Sequence, residues 1–283
     1  MSMPLLSQTP RVAPNPLPPV MPFRWACAYG EDRIGLWQAF EVNGVRQILR
    51  WIPPGEFLMG SPDSEKERDD NERQHLVILT QGYWLAETTC TQALWETVMG
   101  ENPSHFKNHP QNPVEQVSWD DVVERFLPKL NKLVPGLKAE LPTEVQWEYA
   151  CRAGTQAPFW FGEQITTEQV NYDGNDPYVG SIKGKYIEKT VPVKALPAND
   201  WCLYQMHGNV YEWCADWWGE YLDGEVVDPK GPTEPQKQES RERVLRGGCW
   251  ASSGKDCRSA SRIAIQPSDR HYIIGFRLAR AAC

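Results

Sequence analysis

No stretch of this 283-residue chain stays apolar for the length of a bilayer, so no transmembrane span is expected. The opening residues, MSMPLLSQTPRVAPNPLPPVMPF, lack the basic start and continuous apolar core of a cleavable signal peptide. They are proline-rich, and residues 1–22 read as a flexible arm ahead of a single domain over 23–283. The default address is therefore cytoplasmic, with surface display by a route that needs no cleavable signal left open. Positive charge is also short. With 29 Lys and Arg against 37 Asp and Glu the net charge is −8, which points away from nucleic acid as a direct ligand. No CxxC occurs, and the eight cysteines (Cys27, Cys90, Cys151, Cys202, Cys214, Cys249, Cys257 and Cys283) are too scattered for a disulfide scaffold or a zinc site. They read as mostly buried thiols in a reducing compartment. There is no GxSxG, no glycine-rich loop opening a helix and no internal repeat. His105 and His109 have metal-like spacing, but their loop is rich in Pro and Asn and offers no adjacent acid, so it reads as solvated.

What is abundant is tryptophan, 13 residues, and proline, 24, in a chain that is 41% hydrophobic. Large rings and stiffened loops together suggest a compact fold rich in ordered irregular segments. RIGLWQAFEV and VRQILRWI alternate apolar and polar residues around Asn43-Gly44, a strong hairpin signal. The run SPDSEKERDDNERQH (61–75) is charged and aperiodic, so it reads as a solvated loop. LVILTQGYWLAETTCT is strand-like, and Thr91 then caps a short helix that Gly100 ends. Ser118 opens a helix through SWDDVVERFLPKLNKLV, and Thr143 opens another that stops at Gly154. Beyond Gly154 regular signals fade into a long stretch punctuated by Gly and Pro.

Six words occur there and before it in one order: FLMGSP (57–62), PVEQVSWDD (113–121), LPTEVQWEYACRAG (141–154), GNVYEW (208–213), RVLRGGCW (243–250) and GFRLA (275–279). Together they resemble the formylglycine-generating-enzyme, or sulfatase-modifying-factor, family over roughly residues 50–280. The resemblance implies an α+β, C-type-lectin-like fold with little regular structure and two main helices. Within it Trp119, Trp147, Trp213 and Trp250 read as core rings. Asn209 and Glu212 read as braces for loop backbone, and Arg277 as the holder of a buried carboxylate or carbonyls. The oxidase of the family holds copper through a C-x4-C thiolate pair after the GG word. Here Cys257 falls at the second position but Ser252 at the first, and a hydroxyl is a poor Cu(I) ligand. Cys249 stands beside Trp250 without an obvious partner. No metal is assigned. Asn171 and Tyr172 resemble the start of a family calcium site, but Lys185 falls where an acid belongs, and Asn209 keeps a calcium role only as an open option.

The segment from 247 to 277 resembles a non-enzymatic branch more closely: the variable proteins of diversity-generating retroelements, whose C-terminal segment is rewritten at template adenines. The fixed words of that branch are present as Arg246-Gly247-Gly248, Trp250, Cys257-Arg258-Ser259-Ala260, Arg262, Pro267, Arg270 and Ile274-Gly275-Phe276-Arg277. Where the branch carries Asn, this chain has Ala251, Ser252, Ser253, Asp256, Ser261, Ile263, Ala264, Ile265, Ser268, Asp269, His271, Tyr272 and Ile273. All thirteen are reachable from an Asn codon by changing adenines alone. Lys, Glu, Gln, Met and Trp are not reachable, and none occurs in that set; Lys255 and Gln266 must be fixed or descend from other codons. The resemblance implies a non-catalytic binding protein whose partner, a protein, meets these thirteen side chains, with Trp250, Arg258, Arg262, Arg270 and Phe276 buried beneath them. Two alternatives stand beside it: an oxidoreductase of the family using Cys249 or Cys257, and a pseudoenzyme with one fixed partner.

Overall fold

The structure is a computed structural model that describes residues 17–232, 234–235 and 241–283. Most of the arm at 1–22 thus lies outside the described residues, though Met21 packs on the larger core. The hairpin forms where the alternation puts it: β2 (Gly35–Val42) and β3 (Val45–Ile52) pair in antiparallel register around Asn43 and Gly44. Both turn residues have positive φ, 47° and 82°, as a two-residue hairpin loop demands. β1 (Ala28–Asp32) pairs on the outside of β2. On the other side β3 meets β6 (Tyr83–Thr89), which is buried along its whole length.

The C-terminal strand β11 (Ile274–Ala281) inserts beside β6, not at an edge. It runs antiparallel to β6 and parallel to β7 (Tyr211–Trp217), and β9 (Arg243–Arg246) and β10 (Arg262–Ile265) complete the sheet. The eight strands run in the order β1-β2-β3-β6-β11-β7-β9-β10, so β10 is an edge strand. A second, three-stranded sheet holds β4 (Gly55–Met59), β5 (His75–Leu79) and β8 (Val226–Val227).

Three helices pack on this framework. α1 (Gln92–Met99) starts at Thr91, whose side chain accepts from the Leu94 N–H at 3.2 Å, and ends at left-handed Gly100. The helix opened by Ser118 begins with a π-type turn, Asp121–Phe126, that runs into α2 (Leu127–Leu133). Pro128 has no N–H to continue the regular ladder, and the Leu127 N–H reaches back to the Val122 carbonyl. α3 (Glu144–Arg152) begins with a reciprocal capping box between Thr143 and Gln146 and is stopped by Ala153, one residue before the expected Gly154.

Two readings of the sequence need correction. The charged run 61–75 is not simply solvated, because Glu72 is fully buried and the Glu65 side chain nearly so. Trp119 is only partly buried; its ring stacks on the Arg243 guanidinium, which also covers Trp217. Trp147, Trp213 and Trp250 lie in the interior. No helix among the described residues is long and apolar enough to cross a membrane.

Candidate functional site

The segment that follows β9 is held to the body of the protein by arginines. Arg246, in β9, lies on Glu148 of α3 and donates to the Ala260 carbonyl at 2.7 Å. Arg258 grips Glu72 with both arms at 2.7 Å and reaches Glu65 at 2.7 Å. Arg262 makes a bidentate pair with Glu144 at 2.7 Å and stacks between the rings of Trp218 and Tyr221. Arg277 binds Glu212 at 2.8 and 2.9 Å and also donates to the carbonyls of Ala86 and Tyr204. These four side chains are essentially buried, and each neutralises a carboxylate from outside the segment. The planar fork suits the task because one guanidinium satisfies a carboxylate and loop carbonyls together.

Arg270 departs from expectation. It is bidentate to Asp121 at 2.6 and 2.8 Å, but about half of its side chain remains exposed, so it clamps from the surface. Burial alone would raise the Asp121 carboxyl; hydrogen bonds from Arg270 and Ser118 outweigh it and hold the pKa at about 2. Glu212 also differs: besides Arg277 it accepts from the Trp147 indole at 2.7 Å, so its partners are side chains, not loop backbone. Asn209 braces both, accepting from the Val191 N–H at 3.0 Å and donating to the Val191 carbonyl and Gln205.

Two glycines show how tightly the frame is drawn. Gly248 has φ +74°, and a Cβ there would stand 2.7 Å from the Cys257 sulfur. A Cβ on Gly254 would stand 2.2 Å from the Tyr178 backbone nitrogen, so this non-arginine position is fixed by close backbone approach.

Between these anchors the thirteen candidate positions separate by depth. Ala251, Ser268, Asp269, His271 and Tyr272 are exposed; Ser253, Asp256, Ile263, Ala264, Ile265 and Ile273 are partly exposed. Ser252 and Ser261 are buried, which corrects the expectation that the whole set lies on the surface. The Ser252 hydroxyl accepts from the Cys249 N–H at 3.0 Å and donates to the Tyr211 hydroxyl at 3.2 Å, so the fold has uses for it inside. The Ser261 carbonyl receives Arg246. Ile263, Ile265 and Ile273 rest against the larger core, each only partly buried.

The structure brings 250–251 and 271–273 together. Trp250 and Tyr272 stack at 5.7 Å between ring centroids, and the Trp250 indole donates to the Tyr272 carbonyl at 3.4 Å. Two residues that the sequence did not single out, Tyr186 and Phe106, complete this aromatic group together with His105. Tyr186 stacks on Trp250 at 6.1 Å, Phe106 meets Trp250 edge-on at 5.5 Å, and His105 lies 5.7 Å from Tyr272. His105 and His109 are both exposed, as a solvated loop requires, but His105 contributes a ring to the group.

The residues do not fit the family's copper. Cys249 is buried and its sulfur contacts the Ser252 hydroxyl at 3.3 Å. Burial pushes its thiol up to about 11 and pushes Cys257, enclosed with Phe159, Tyr172 and Tyr178, well above the ordinary thiol range. A copper pair needs two thiolates, and here the first position is the Ser252 hydroxyl, a poor ligand for Cu(I). Calcium fares no better at Asn209, because both ends of its amide are already engaged by protein groups. The Asn171 amide oxygen is buried without a partner, yet no cluster of three His, Cys, Asp or Glu among the described residues could hold a metal ion.

A model of the sulfatase-modifying factor enzyme 1-like domain matches residues 37–282. The chain is 40% identical over 145 residues to the serine/threonine-protein kinase pkn1 of Chlamydia caviae, covering 50% of this chain and 21% of that one. It is 32% identical over 216 residues to the formylglycine-generating enzyme of Mus musculus, covering 72% of this chain and 53% of the enzyme. Among solved structures, Treponema denticola variable protein 1 matches with a TM-score of 0.72 at 27% identity, over 86% of this chain and 98% of that one. The chain thus spans about a fifth of the kinase and about half of the mouse enzyme.

Proposed function

The chain belongs to the sulfatase-modifying factor enzyme 1-like domain family, and we propose that within it this protein is a non-catalytic, ligand-binding variable protein of the diversity-generating retroelement type. It has the α+β, C-type-lectin-like fold of the formylglycine-generating-enzyme type. The observation that carries the reading is the division of labour within 247–277. The arginines and Trp250 hold the backbone through partners outside the segment, while most of the intervening side chains stand outward. A surface arranged in this way can change its side chains without changing its frame. The likeness to a protein named for its variability supports the same reading.

The binding face comprises Ala251, Ser253, Asp256, Ile263, Ala264, Ile265, Ser268, Asp269, His271, Tyr272 and Ile273, with a folded protein as partner. Tyr272 and the isoleucines supply apolar contact area, and serine and aspartate supply adaptable hydrogen bonds. The fixed rings of His105, Phe106 and Tyr186 border the face.

A displayed library randomised at the exposed or partly exposed positions 251, 253, 256, 268, 269 and 271–273, with Ser252 and Ser261 kept, tests this. Most members should fold with melting temperatures within roughly 10 °C of the parent, because surface changes cost about 0.5 kcal/mol or less each, or about 4 kcal/mol at most over the randomised set. Sorting against lysozyme as an arbitrary folded target should enrich binders. Loss of cooperative unfolding in most members, or no binder from repeated sorting, would contradict the proposal.

A further inference from the structure

A cavity of about 280 Å³ lies beneath the segment 219–232, away from the residues assigned to ligand binding; it shares only the buried anchor Arg262 with the frame beneath them. Met59, Val145, Trp217, Leu222 and Val226 supply its apolar lining. Its charges are unequally satisfied. Glu144 is saturated by the two arms of Arg262 and by the Tyr221 hydroxyl at 3.1 Å. Asp216, only 3% exposed, has no cation within salt-bridge distance among the described residues. The Glu144 backbone N–H donates to its Oδ2 at 2.7 Å. Its Oδ1 faces Gly231, where a Cβ would come within 2.5 Å, so the missing side chain leaves that oxygen its room.

A buried carboxyl beside apolar walls is costly when ionised without a cation in direct contact, and Arg262 and Arg243 act on Asp216 only from beyond ion-pair distance, each engaged elsewhere. Desolvation, with the nearby Glu144 carboxylate, pushes the Asp216 pKa up to about 8, outweighing the backbone N–H of Glu144 and the charge of Arg262, which both pull it down. An ammonium group would supply the missing charge, and a short hydrocarbon tail would cover the remaining lining.

We propose that this cavity binds a small aliphatic primary amine, its ammonium on Asp216 and its hydrocarbon against Met59, Val145, Leu222 and Val226. The other ionisable neighbours leave that role to Asp216. Glu144 and Arg262 are locked to each other, and His75 has one ring nitrogen 3.1 Å from the Arg73 carbonyl. Glu220 and Lys230, on the covering segment, are exposed and opposite in sign. Arg243, on the adjacent strand, is sandwiched between Trp119 and Trp217. Binding the cation requires the Asp216 carboxyl to release its proton, so affinity must rise with pH through the carboxyl's folded pKa.

Calorimetric titration of the full chain with isopentylamine and its neutral isostere isopentanol tests this between pH 7 and 9, above the ordinary histidine range. The amine should bind saturably and roughly tenfold more tightly at pH 9 than at pH 7. At pH 7, comparison of buffers with different ionisation heats should report release of about one proton per amine bound. Asp216→Asn should abolish amine binding. Because a raised acid destabilises the fold as pH climbs through its folded value, this variant should melt no lower than the parent at pH 9. Equal binding of isopentanol, affinity that falls as pH rises, or no saturable heat at pH 9 would overturn the proposal. Those readings need only the parent protein, so a folding defect in the variant would not leave it undecided.

Discussion

Arg277→Ala is expected to lower stability by about 3–5 kcal/mol, the cost of breaking a buried ion pair and leaving one charge behind. Arg277 is fully buried and Glu212 is 1% exposed, so water cannot replace the lost guanidinium without opening the sheet. The same side chain satisfies the carbonyls of Ala86 and Tyr204, which would lose their donors together with the carboxylate. Its position gives the loss its reach: β11 joins β6 to β7 at the middle of the eight-stranded sheet. Arg277→Lys should recover little, because one ammonium cannot reproduce a bidentate fork and two carbonyl contacts. Thermal unfolding should show a fall of roughly 10 °C. A loss below about 1 kcal/mol would mean that the pair does not organise the sheet.

Arg258→Ala should cost a similar amount, about 3–5 kcal/mol, but express it locally. Arg258 ties Glu65, Glu72 and the Glu67 carbonyl to the segment after Gly248. Without it two buried carboxylates lose their cation, and the 61–75 segment loses its attachment to the binding segment. Amide exchange should therefore accelerate at residues 61–75 and 252–258 before it does in β6. The pH dependence has a definite sign. Burial raises the Glu65 carboxyl above its ordinary value even with Arg258 opposing it, and removing the arginine must raise it further. A raised acid binds its proton more readily in the folded state, so its contribution to stability is lost as pH rises through the folded value. The deficit of the variant should narrow as pH falls below neutrality. Exchange that accelerates uniformly, or a deficit that widens toward acid, would contradict this.

The parts of the fold governed by neighbouring residues were legible in the sequence. Asn43-Gly44 specified a turn that demands positive φ, and Thr91, Ser118 and Thr143 each marked a helix start. The family words located the candidate segment as well, since they carry its arginines and glycines in order. Contacts between distant segments were not legible. The run 61–75 read as solvated because charge normally stays in water, and only the arrival of Arg258 makes burying Glu72 tolerable. Likewise, nothing local distinguishes Ser252 from Ser253; the first turns inward because Tyr211 and Cys249 offer it partners. Tyr186 and Phe106 gave no signal because the ring they border lies far along the chain. Asp216 gave no signal in the sequence, because its setting arises only once α3 and the 219–232 segment enclose it.

The gap between Ser252 and its surface neighbours also bears on how such a segment can vary. The Ser252 hydroxyl is held by Cys249 and Tyr211 and Ser261 is enclosed, so diversification at 252 and 261 should be narrower than at 251, 268 or 272. The variable face is thus defined by depth as well as by sequence position.

The most direct test is the DNA sequence flanking the gene. The proposal predicts a nearby near-copy of the codons for residues 249–273, with adenines in the copy at the codons for the exposed set where the gene has other bases. The codons for Trp250, Arg258, Arg262 and Arg270 should be unchanged between the two. A reverse-transcriptase gene should lie beside them. A coding segment with no such copy, or one whose differences ignore adenine, would contradict the account.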